Sequence, residues 1–179
     1  MVPDFGQDYF ALFGLPRAFR IDAAQLDHAY HGLQGRVHPD RHAHLPEAER
    51  RLSMQWATQV NEAYRTLRKP LLRASYLLSL AGADTGHESN TAMSPAFLIE
   101  QMEWREAVAE ARAAGDHHEL ESQMKRLNEQ AAQIHAAIER HLDAERDYPA
   151  AADAVRRLMF VEKLEQEIED ALEALDNQD

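Results

Sequence analysis

Apolar residues recur at steps of three and four along most of the chain, the period of helices that bury one face. A short helix is expected first, with Asp8 as its cap, Tyr9, Phe10, Leu12 and Phe13 as its bulky residues, and Gly14 and Pro16 as its end. A second is predicted from about residue 23 to residue 37 or 38. Asp22 stands where an N-cap belongs, and Leu26, Ala29, Tyr30, Leu33 and Val37 make its stripe. Pro39 stops it, because proline lacks the N–H that continuation needs and pushes the preceding residue out of the α region. After a loop, Pro46 suits the first turn of a third helix, with Glu47 and Glu49 near its positive end. That helix is expected to turn Leu52, Trp56, Val60, Ala63, Tyr64 and Leu67 inward and to end at Arg68 and Lys69 before Pro70. A shorter helix over 71–80 adds Leu72, Tyr76, Leu77 and Leu80.

Residues 81–93 hold two glycines, Ser, Asn and two Thr without sustained periodicity, and read as a linker. The expected division is therefore a first domain over 1–80 and a second over 94–179. In the second, Ser94-Pro95 opens a helix near 96–114 with Phe97, Leu98, Met102 and Val108 as its apolar positions, and Gly115-Asp116 ends it. A helix near 117–145 follows, carrying Leu120, Met124, Leu127, Ile134, Ile138 and Leu142. After a break at Asp147, Tyr148 and Pro149, a last helix over about 150–175 carries Val155, Leu158, Met159, Val161, Leu164, Ile168, Leu172 and Leu175. Three such stripes on short connections cannot be buried singly, so an antiparallel three-helix bundle is expected. The fold class is all-α, in keeping with few Gly and Pro and abundant Ala, Leu, Glu and Gln.

Charge changes this picture more than composition does. The net charge is −12, yet residues 1–75 carry +2 and residues 76–179 carry −14. Non-specific nucleic-acid binding is disfavoured, and two halves so different in charge suit different partners. With no cysteine, the chain has neither a disulfide framework nor thiolate ligands for a metal, so any metal–thiolate chemistry belongs to a partner. No apolar run approaches the ~18 residues of a membrane span, and the opening residues are acidic without a basic n-region. A cytoplasmic address is the expectation. No glycine-rich phosphate loop, Ser/His/Asp arrangement or Cys nucleophile is present, so no residue is assigned a catalytic role.

The loop between the second and third helices reads His38-Pro39-Asp40. Pro39 rigidifies it, and a carboxylate and an imidazole at fixed orientation suit charge-assisted hydrogen bonds to a partner. Arg36 and Arg41 flank them as a small cationic surface fit for an acidic groove. A His-Pro-Asp loop between a helix with a Tyr/Leu stripe and a longer helix ending Asn61-Glu62-Ala63-Tyr64-Arg65-Thr66-Leu67 resembles a J-domain. That resemblance implies docking on a DnaK-type chaperone and stimulation of its ATPase. The second helix departs from the usual basic pattern, with His28, His31 and only Arg36 before the loop. An alternative reading of His38, Asp40, His42 and His44 is a metal site, although no H-E-x-x-H pattern or distant ligand set accompanies them.

The likeness extends beyond the first domain. The stretches 9–16, 66–71, 73–78, 97–106 and 151–160 resemble the HscB family of co-chaperones. The Gly/Phe-rich or zinc-ribbon segments of a generic J-protein are absent. Membership would imply an adaptor without a cofactor of its own, an activator rather than an enzyme, which brings the iron–sulfur scaffold IscU to the DnaK-type chaperone HscA. The implied scaffold patch is Leu98, Ile99, Met102 and Phe160, with Glu103 and Glu106 beside it. Leu98, Met102 and Glu106 are four apart and share one helix face. For Leu98 and Phe160, burial in the bundle core is the competing reading, and a J-protein with another client is the competing function.

Overall fold

The computed structural model describes residues 6–37, 46–83 and 94–177, and every regular element among them is helical. By backbone proximity the chain falls into two compact units, Met1–Leu77 and Leu78–Asp179. The first holds α1 (Tyr9–Leu12), α2 (Ala23–Val37), α3 (Glu47–Arg68) and most of α4 (Pro70–Leu80). Aspartates cap as their positions demand. Asp8 accepts from the Ala11 N–H at 3.0 Å, and Asp22 accepts from the Ala24 and Gln25 N–H groups at 2.9 and 3.2 Å.

One turn of helix cannot repay its own nucleation, so α1 stands on tertiary contacts. Phe10 and Leu12 are buried, and the Tyr9 ring stacks on Tyr76 of α4 at 4.5 Å. The Tyr9 N–H donates to the Tyr76 hydroxyl at 3.1 Å. Phe10, Phe13, Leu26, Trp56, Val60 and Leu67 form the core that α1, α2 and α3 share.

Three expected apolar positions, Leu52, Leu72 and Leu80, lie outside it. Leu52 is 39% exposed, and Trp56 is the first buried residue of α3. The 22 residues of α3 outrun the 15 of α2, so its opening turns have no matching length of partner to pack on. In α4 the buried positions are Ala74 and Leu78, four apart on one face, while Leu80 is 39% exposed and Leu72 half-buried.

The second unit is a three-helix bundle of α5 (Pro95–Ala114), α6 (His117–Glu139) and α7 (Tyr148–Asp176). Ser94, Asp116 and Asp147 each cap the helix they precede, accepting from the N–H groups of Phe97, Glu119 and Ala150. Gly115 ends α5 in the left-handed region at φ 65°, where a side chain would be strained. Pro149 proves to be inside α7, in the first turn, where its missing N–H costs nothing; the helix starts two residues earlier than expected.

The helix expected as one piece over 117–145 is not uniform. After Glu139 it widens into a π turn, Arg140–Glu145. Ile134, Ile138 and Leu142 are all buried and four apart. In an α-helix each such step overshoots a full turn by about 40°, so the third residue drifts off the stripe. The wider i→i+5 turn takes up the overshoot and returns Leu142 to the core.

Candidate functional site

On the first unit the hairpin of α2 and α3 is locked by a ladder of polar side chains. The Tyr64 hydroxyl donates to Asp27 at 2.9 Å, and Arg68 lies 3.4 Å from the same carboxylate oxygen. The Tyr64 ring stacks on Tyr30 at 4.0 Å; the Tyr30 hydroxyl donates to Asn61 and accepts from Gln34, both at 3.0 Å. The hydrogen bond to the Asp27 carboxylate holds the Tyr64 phenol above the usual tyrosine range, with burial adding to it. Cross-helix rungs thus stand at Asp27 and Tyr30, and the Gln34 bond to Tyr30 carries the network one turn further along α2 itself.

His38, Pro39, Asp40 and Arg41 lie outside the described residues, as do His42 and His44, and Arg36 falls in the last turn of α2. His28 and His31 are exposed on that helix. Among the described residues no three His, Cys, Asp or Glu side chains converge as metal ligands.

On the second unit the buried positions of α5 are Phe97, Val108 and Ala111. Ile99 and Met102 therefore fall on the opposite side, 56% and 71% exposed, with the exposed Glu103 and Glu106 beside them. Met102 is a surface residue, not one of the inward positions of its helix. Leu98 is half-buried at the edge of this face. Phe160 is not on it: the ring is 7% exposed, meets Phe97 edge-on at 5.8 Å, and lies under the Arg105 guanidinium at 5.9 Å.

Two further features had no signal in the apolar periodicity. Arg157 of α7 sits 4.6 Å over the Phe97 ring and 3.8 Å from Glu100, tying α7 to the opening of α5. Between α5 and α6 runs a groove floored by Trp104 and Ala107, with Arg126 stacked 4.9 Å over the indole. A lone Trp among charged residues was the only mark it left in the sequence.

Residues 93–169 match the family model described as the HSCB C-terminal oligomerisation domain. The chain is 64% identical to the co-chaperone protein HscB homolog of Azoarcus sp. strain BH72, over 99% of this chain and all of that one. Among solved structures it resembles chaperone HscB from Vibrio cholerae, with a TM-score of 0.88 and 39% identity over 94% of this chain and 99% of that one. Human co-chaperone HscB superimposes with a TM-score of 0.88 at 31% identity, over 94% of this chain and 84% of that one. Identity on this scale and over this length fixes the family as well as the fold, and the chain belongs to the HscB co-chaperones.

Proposed function

We propose that the protein is a cytoplasmic adaptor that brings the iron–sulfur scaffold IscU to the DnaK-type chaperone HscA and stimulates the ATPase of that partner. In this reading residues 1–80 are the J-domain, 81–93 the linker and 94–179 the scaffold-binding domain. His38, Pro39 and Asp40, with Arg36 and Arg41, engage the ATPase; Leu98, Ile99 and Met102, with Glu103 and Glu106, engage the scaffold. Phe160 contributes from below, as the buried ring on which Phe97 rests.

The observation that supports the scaffold end best is the pair of large apolar side chains, Ile99 and Met102, left exposed on one face of α5. Their burial has no outlet within the bundle, and contiguous exposed apolar residues rimmed by charge mark protein-binding surfaces. In a steady-state ATPase assay, the chain and the scaffold together should stimulate HscA by more than the sum of their separate effects. His38→Gln should remove the chain's own stimulation while leaving scaffold binding intact. Ile99→Ala/Met102→Ala should weaken scaffold binding roughly ten-fold or more, as loss of central apolar contacts does, without lowering the melting temperature. Merely additive stimulation, or wild-type affinity in the double variant, would refute the adaptor.

A further inference from the structure

The groove between α5 and α6 adjoins the exposed Ile99/Met102 face, and Glu103 borders both. It encloses about 630 Å³, within the size range of sites that take a side chain or small ligand. Some of its charged groups are already engaged. Glu100 accepts a hydrogen bond from Gln130 at 2.7 Å and faces Arg157, while Arg126 lies over the Trp104 ring. Glu103 and Glu129 are different: both are exposed, and neither has an ion pair among the described residues.

We propose that this groove is a second part of the scaffold-binding surface and seats a lysine or arginine side chain of the same partner. The inference rests on the scaffold reading above. A long basic side chain suits the groove: its methylene stem lies along Ala107, beside the indole that Arg126 covers, and its charged head meets the carboxylates of Glu103 and Glu129, two negative charges against the one positive charge of Arg126. An acidic side chain would meet two unpaired carboxylates on a half of the molecule that carries −14. Because Glu103 borders patch and groove alike, one partner segment crossing α5 reaches both.

The test is calorimetric titration of the full chain with purified IscU, each variant first checked for helicity. Glu129→Lys should weaken binding roughly ten-fold and flatten its salt dependence, as loss of a complementary charge does. Glu169→Lys, the same change of charge at an exposed position of α7 that does not line the groove, should move affinity less than about two-fold. Ala107→Phe should weaken binding by filling the groove with no change of charge. Equal losses from Glu129→Lys and Glu169→Lys would overturn the proposal, since net charge alone would then be at work. So would wild-type affinity in a folded Ala107→Phe. Ile99→Ala/Met102→Ala in the same series separates the two ideas: weakening there alone removes the groove, and no weakening anywhere removes the scaffold reading itself.

Discussion

Tyr64 and Phe160 show how differently two aromatic side chains serve this molecule. Tyr64 is half-exposed, and its hydroxyl holds α3 to Asp27 of α2. Tyr64→Phe keeps the stack on Tyr30 and loses the hydrogen bond, so it should cost about 0.5–1 kcal/mol, read as a shift of the urea midpoint. The phenol titrates above its ordinary value, so the stability it contributes is complete below the normal tyrosine range and is lost as pH rises through the raised value. The gap between wild type and Tyr64→Phe should accordingly narrow at strongly alkaline pH. Phe160 is buried, and Phe160→Ala removes a ring from the core, at a cost of about 3–5 kcal/mol. Thermal melting should show this variant losing the bundle, whereas Met102→Ala should melt as the wild type does.

Along a helix, the informative errors are those of phase. Caps were legible at Asp8, Asp22 and Ser94, which act on the backbone next to them, whereas Asp147 and Pro149 read as a break and are the cap and first turn of α7. The exposure of Leu52 was not legible, because it depends on α3 being longer than its partner. Nor was the burial of Phe160, which depends on a ring and a guanidinium sixty-three and fifty-five positions away in sequence. Tyr64 looked apolar in the stripe of α3; its tie to Asp27 joins two helices and leaves no period to read. Charge does have a period on α7. Burial raises the Glu165 carboxyl above the usual range, and Glu162 and Glu169, one turn to either side, raise it further. A raised carboxyl contributes fully to stability below the ordinary glutamate value and loses that contribution as pH rises through the raised one. At neutral pH the charge is therefore unfavourable, and Glu165→Gln should stabilise the bundle by a few tenths, about 0.2–0.5 kcal/mol, in urea titration. The advantage should vanish towards pH 4.

For the whole molecule, the uneven distribution of charge is the property that no single residue shows. A near-neutral first half and a half carrying −14 would give the proposed adaptor two ends that do not compete for the same partner surface. Of the two proposed ends, the His-Pro-Asp loop stands in the sequence as letters in context and lies outside the described residues, while the proposed scaffold face takes its outline from Ile99 and Met102, which the fold separates from the buried Phe160. That separation has a redox side. The Met102 thioether is 71% exposed on a face proposed to meet a carrier of iron–sulfur clusters, and oxidation to the sulfoxide turns an apolar contact into a polar one. Mild peroxide treatment should weaken scaffold binding and leave the melting temperature in place; Met102→Leu should bind as well before treatment as after it. On the proposed reading, the hold on the scaffold would then slacken under oxidising conditions while the bundle itself stays folded.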